Sequence, residues 1–188
     1  PVAEGGVILG RSRGQIQFGE DPFLAAAHLK LLPKDGQLLA IDGGSRNGTF
    51  LRVRQELPIS KGAEFLVGSQ RFLLLGVGGP TRDVRTEGEH DSRTFGGPVP
   101  KELFAALRLL HAAADGQALA GSVLLRAGPV VAIGRRGCDI DFPQDGSMRT
   151  HHAELHLDRN SSRLVEVQGP VYLRFKGQIT LQHGDEIR

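Results

Sequence analysis

The chain repeats itself. Sliding the sequence by 124 positions aligns Gly10 with Gly134, Arg11 with Arg135, Ile16 with Ile140, Phe18 with Phe142, Asp21 with Asp145, His28 with His152 and Leu31 with Leu155, without a gap. Residues 38–43 then match 164–169 at an offset of 126, and Thr49-Phe50-Leu51-Arg52 matches Val171-Tyr172-Leu173-Arg174 at 122. The second copy has therefore lost four residues from the loop that reads Gly-Ser-Arg-Asn in the first. Gly62 pairs with Gly184 at the same final offset. Self-similarity of this kind means two copies of one small fold. The 188 residues suit two such units, each of roughly 80 residues.

Each copy reads as β-structure. In the first, residues 7–9, 15–18, 28–32, 38–41, 49–53 and 65–67 are short apolar or alternating runs, separated by Asp-Gly, Gly-Gly, Asn-Gly and Lys-Gly pairs. Many short strands at this spacing predict a sandwich or barrel rather than βαβ units. The 26 glycines follow no strict period, which excludes collagen and fits a fold full of tight turns.

The expected fold class is all-β, with two antiparallel β-sandwich domains joined by a linker. The first domain is placed at 1–79, a polar linker at 80–101 and the second domain at 102–188. Residues 81–93 carry charge and almost no apolar side chain, as a solvated tether does. Thr81, Thr86, Ser92 and Thr94 in and beside it are candidate phosphate acceptors. From Pro100 the pattern predicts a short helical start, followed by a strand over 107–111.

The alignment leaves each copy short at one end. The second copy has a strand-like run at 121–125 ahead of Gly134 with no counterpart before Gly10. The first continues past its match to Arg188 through another run at 68–75. An unfinished sandwich exposes open edges. Either further strands belong to the natural protein outside these residues, or strands come from the other copy or another chain, by exchange or in a homo-oligomer.

Charge and cysteine content narrow the function classes. A formal charge of +2, with arginines singly or in pairs, argues against a nucleic-acid surface. The lone Cys138 cannot form an intrachain disulfide, which favours a reducing, cytoplasmic setting. No apolar run approaches the ~20 residues of a membrane span, and no signal peptide is evident.

An ordered set of motifs remains: Gly10-Arg11, His28 and Gly44-Ser45-Arg46-Asn47-Gly48-Thr49 in the first copy, Gly134-Arg135 and His152 in the second. In order, spacing and duplication this set resembles the forkhead-associated (FHA) family across most of the chain. The resemblance implies eleven-stranded antiparallel sandwiches whose loops at one end bind a phosphothreonine peptide. A phosphate dianion calls for charge-assisted donors, and the arginine fork matches it. An Asn amide offers donor and acceptor together and can hold a peptide main chain.

Carried over residue by residue, both sites depart from the family pattern. The family's Ser-Arg-x-His reads Ala25-Ala26-Ala27-His28 in the first copy, leaving Arg11, Arg46 and Asn47 as phosphopeptide-binding candidates. In the second copy it reads Arg149-Thr150-His151-His152, and the Asn loop is deleted. Arg135, Arg149 and Thr150 are the candidates there, with Arg136 adjacent. His28 and His152 are expected to brace loops.

Plainer readings stand beside these. Arg11 and Arg135 also fit ion pairing at strand ends, and Asn47-Gly48 is a hairpin-turn signal on its own. His152 and His156 on one strand face would sit about 13 Å apart by strand rise, with His151 on the other face, so no metal site is expected. No phosphate-cradling glycine motif opens a helix, and no nucleophile motif supplies a base. The sequence thus points to a non-catalytic protein-interaction module with no cofactor and no nucleic-acid or membrane partner. It would act in intracellular signalling or assembly, and the high alanine, glycine, leucine and arginine content is compatible with a bacterial source. Its partner is a protein or phosphoprotein, the first copy being favoured for phosphothreonine. The alternative is a phospho-independent structural scaffold.

Overall fold

The computed structural model describes residues 5–54, 56–78, 106–112, 123–158 and 161–188. Their regular elements are all strands: β1 (Val7–Gly10), β2 (Ile16–Gln17), β3 (Leu29–Lys34), β4 (Gln37–Asp42), β5 (Thr49–Val53), β6 (Leu57–Ile59), β7 (Glu64–Val67), β8 (Gln70–Gly78), β9 (Ala106–Ala112), β10 (Val123–Ala127), β11 (Val130–Gly134), β12 (Ile140–Asp141), β13 (Ala153–Leu157), β14 (Ser162–Glu166), β15 (Val171–Phe175) and β16 (Gln178–Leu181). The protein is all-β, with sheets that are antiparallel apart from the short parallel pairs β1–β2 and β11–β12. The polar stretch at 80–101, its candidate phosphate acceptors and the helical start at 100–104 lie outside the described residues. The strand expected at 107–111 falls within β9.

The repeat is written into the backbone. At the offset of 124, β1, β2 and β3 correspond to β11, β12 and β13, and each three-stranded ladder has the same order. Hydrogen bonds outside the ladders are duplicated too. Phe18 N donates to Gly10 O at 3.0 Å, as Phe142 N does to Gly134 O at 2.9 Å; His28 N donates to Leu9 O at 2.8 Å, as His152 N does to Ile133 O at 3.0 Å.

The strands of the two repeats are interleaved. One outer sheet runs β16-β4-β3-β1-β2 and the other β12-β11-β13-β14-β6. In each, four strands come from one repeat and the edge strand beside β4 or β14 comes from the other. The central sheet runs β10-β9-β8-β7-β15-β5. Within it β15 sits between two strands of the first repeat: Leu173 is opposite both Leu51 of β5 and Phe65 of β7. On the far side of β5, Ile187 bridges Leu51. Leu51–Ile187 and Leu173–Phe65 are equivalent at the offset of 122, so a pseudo-twofold relation runs between β5 and β15. A sequence boundary at 80–101 is therefore crossed repeatedly by the ladders.

The core follows from this exchange. Phe65, Val67, Phe72 and Leu74, from β7 and β8, pack with Val131, Ile133, Ile140, Leu155 and Leu164 of the second repeat in one buried cluster. Phe72 stacks on Phe65 at 5.4 Å between centroids and meets Phe142 edge-on at 5.8 Å. Burial of each such side chain is worth about 1.5–3 kcal/mol. Charged ties also cross between the halves. Arg174 reaches Glu64 at 2.9 Å, its equivalent Arg52 reaches Glu186 at 2.7 Å, and Arg71 completes the pair at Glu64.

Candidate functional site

Glycine places the arginine loops. A Cβ on Gly10 would lie 2.2 Å from Ala26 O, and one on Gly134 would lie 2.1 Å from Thr150 O. Only glycine allows the two loops of each repeat to press together so closely. Arg11 N then donates to Ala25 O and Arg135 N to Arg149 O, both at 2.8 Å. The Gly-Arg motif is thus a loop-contact device first, and the arginine side chain projects from it.

The histidines lock the same loops. Ala25 N donates to His28 Nδ1 at 3.2 Å, and Arg149 N donates to His152 Nδ1 at 3.0 Å. A backbone N–H can only donate, so Nδ1 is the bare nitrogen and Nε2 carries the proton. That proton faces Gly48 O at 3.2 Å in the first repeat and Pro170 O at 3.0 Å in the second. Both rings are buried and spend both nitrogens on backbone.

The Gly-Ser-Arg-Asn-Gly-Thr loop is a crossover and not the hairpin its Asn-Gly pair suggests. β4 lies in an outer sheet and β5 in the central one. Inside the loop Asp42 Oδ1 accepts from Ser45 Oγ at 2.9 Å and from Thr49 Oγ1 at 2.7 Å, while Gly48 N donates to Ser45 Oγ at 3.1 Å. Asn47 Nδ2 donates to Phe23 O at 2.6 Å, tying this loop to residues 18–24. Ser45 and Thr49 are buried. Arg46 is exposed, and no side-chain partner holds it among the described residues. Asp21, Phe23, His28, Asn47, Gly48 and Phe50 line part of a half-open cleft of about 390 Å³ beside this loop.

The guanidinium groups separate the two repeats. Arg11 is exposed and has no side-chain partner among the described residues. Its equivalent Arg135 turns both Nε and a terminal nitrogen onto Met148 O. Among the described residues neither forms the ion pair that the strand-end reading expects. Arg136, Arg149 and Thr150 are exposed, their side chains uncommitted among the described residues.

Two clusters escaped sequence reasoning. Asp145 takes hydrogen bonds from Ser69 N, Ser69 Oγ, Gln70 Nε2, Ser147 N and Ser147 Oγ. It clamps the β7–β8 turn onto the second repeat. Burial alone would raise its pKa, but the donors from Ser147, Gln70 and Ser69 hold it well below the usual carboxylate range. The second cluster is Glu154, which faces His151 Nε2 at 2.9 Å and His156 Nε2 at 2.6 Å. Strand alternation does not apply to His151 and His152, because β13 begins at Ala153. Among the described residues no group of three His, Cys, Asp or Glu has a metal-holding arrangement.

Burial pushes the Cys138 thiol up, with Asp141, Asp139 and Glu154 adding to the effect. Its Sγ faces Thr150 O at 3.3 Å, so it stays a thiol and makes a poor nucleophile.

Fold and loop geometry together define an all-β protein with duplicated, rigidly braced loop clusters. Comparison with known proteins finds no matching family model, no matching curated protein and no matching solved structure. Among the described residues no helix is long and apolar enough to cross a membrane.

Proposed function

We propose that the chain is a non-catalytic, intracellular protein-interaction module whose first repeat binds an extended phosphorylated peptide. The observation that carries this reading is the pair of exposed, uncommitted guanidiniums of Arg11 and Arg46. Both stand on loops fixed by His28, Asn47 and Asp42, so little loop entropy is lost when a ligand arrives. Arg11 takes the phosphate and Arg46 assists. Asn47 keeps its Oδ1 for a peptide N–H after spending Nδ2 on Phe23. The motif resemblance to FHA domains supports phosphothreonine as the phosphorylated residue.

A second reading, a phospho-independent scaffold, is favoured by the closed fork of Arg135 and by the three alanines ahead of His28. Calorimetry with a phosphothreonine peptide library separates the two. The module reading expects binding that weakens about ten- to a hundredfold in Arg11→Ala, the cost of one charge-assisted donor. Arg135→Ala should leave that binding unchanged. A chain that binds no phosphopeptide above background is a scaffold.

A further inference from the structure

The pseudo-twofold relation between β5 and β15 has a cleft at its centre. Leu51 of β5 is opposite Leu173 of β15, and to either side stand β6 and β16, edge strands of the two outer sheets. Leu51, Val53, Leu57, Leu173, Phe175 and Ile179 line a half-open space of about 460 Å³. They form three equivalent pairs at the offset of 122, so each repeat supplies half of the apolar lining. Val53 is buried, Leu57 is exposed and the other four are half-buried. A concave apolar site of this size suits the apolar groups of a ligand. It is built from strands beside the axis and owes nothing to the outer edges of the central sheet.

The two flanking edges are equivalent in position and unequal in chemistry. Asp158 N donates to Ser161 O at 2.9 Å, so Arg163 and Val165 bond to β13, while Ser162 and Leu164 bond to β6. Leu57 and Ile59 thus spend their backbone groups on β14. Pro58 stands on the free side, where it offers no N–H. In the other sheet Asp42 N donates to Gly177 O at 2.8 Å. By the same alternation Ile179 and Leu181 bond to β4, and the N–H and C=O of Gln178 and Thr180 point to the free side. Among the described residues no strand pairs with that side. Thr180 is the equivalent of Pro58. Proline closes one edge; the other can accept a strand.

Charge at the mouth of the cleft is also unequal. Arg52 is held by Glu166 and Glu186, and Glu56 by Arg163. Arg54, 47% exposed, stands 3.9 Å from Asp185, beyond hydrogen-bond reach. Asp185 itself takes the N–H of Gln182 at 2.8 Å. Among the charged groups lining the cleft, Arg54 is therefore the one left for an incoming carboxylate, at the Gln182 end of β16.

We propose that this cleft binds an extended segment of a partner polypeptide, added antiparallel to β16. Its main chain pairs with Gln178 and Thr180. Two apolar side chains at alternate positions turn inward and seat over Leu51 and Leu173. A carboxylate two residues ahead of them reaches Arg54. No phosphate takes part, so this site works apart from the Arg11 loop cluster, and either can fail alone.

The probe is the peptide acetyl-Thr-Glu-Thr-Leu-Thr-Leu-Thr-amide, added to the full chain. Calorimetry is expected to give one peptide per chain, with hydrogen exchange at the Gln178 and Thr180 amides slowed on binding. Aspartate in place of both leucines should weaken binding at least about tenfold. Arg54→Gln should weaken it about two- to fivefold, the worth of one exposed ion pair. Thr180→Pro should abolish binding and leave the fold intact, since β6 already carries proline at the equivalent place; unchanged amide exchange in β3 and β13 checks the fold. No binding, equal affinity for both peptides, full affinity in Thr180→Pro, or amides unaffected by saturating peptide overturns the proposal. So do Gln178 and Thr180 amides already protected in the chain alone. With monomers seen by light scattering the edge is then covered by the chain itself, and with dimers by a second copy.

Discussion

Phe72→Ala is expected to destabilise the protein by about 3–5 kcal/mol, with the loss centred on the second repeat although Phe72 belongs to the first. The side chain is fully buried between Phe65 and Phe142. Its removal leaves a cavity in a cluster whose other walls are Ile133, Leu155 and Leu164. Native-state hydrogen exchange should show amides of β13 and β14 losing protection, while β3 and β4 change least. Denaturant titration of the variant gives the total. A loss confined to β1–β4 would contradict the shared core.

The second large effect belongs to Glu64. Its carboxylate receives Arg71 of its own repeat and Arg174 of the other, and all three side chains are between 14% and 16% exposed. Replacing it by Gln leaves two mostly buried guanidiniums without their counter-charge, which should cost about 3 kcal/mol. Glu56→Gln, which breaks the exposed pair with Arg163, should cost no more than about 1 kcal/mol. Burial pulls the Glu64 pKa upward, but Arg71 and Arg174 outweigh it and hold the group below its ordinary value. A lowered carboxylate pKa gives stability that is full above the unfolded-state value near 4. That stability is lost as pH falls through the folded-state value. Asp145, lowered by its five donors, acts in the same direction. Chemical denaturation followed from pH 7 to pH 2 should thus show stability falling below about pH 4, and falling less steeply in Glu64→Gln.

Much of this architecture is legible in the sequence. The offsets 124 and 122 locate both repeats, and the apolar runs locate β1, β3, β4, β5 and β7. The exchange is not legible, for a physical reason. Leu51-Arg52 duplicates Leu173-Arg174, and Glu64 duplicates Glu186, so either copy of β5 could satisfy the ladder and the ion pair with either copy of β7. Local pattern is degenerate between exchanged and unexchanged pairing, and only chain connectivity and whole-core packing distinguish them.

Two of the strands that cross over, β6 and β16, give weak sequence signals. β6 has three residues and carries Pro58, tolerable because it sits at a sheet edge. At the loops the motifs placed the residues but not their partners. Asn47-Gly48 has the composition of a hairpin turn and serves a crossover. Arg135 looks like Arg11 in sequence, yet it closes on Met148 O, whereas no side-chain partner holds Arg11 among the described residues. Hydrogen bonds to carbonyl oxygens leave no mark on side-chain patterning, so these differences emerge only from the folded backbone.

Cross-strand nuclear Overhauser effects at Leu173 test the interleaving most directly. With β15 seated between β5 and β7, Leu173 should show contacts to Leu51 on one side and Phe65 on the other. Contacts from Leu173 to Ile187 in place of those to Phe65 would mean that each repeat pairs with its own strands, and the shared core would not exist.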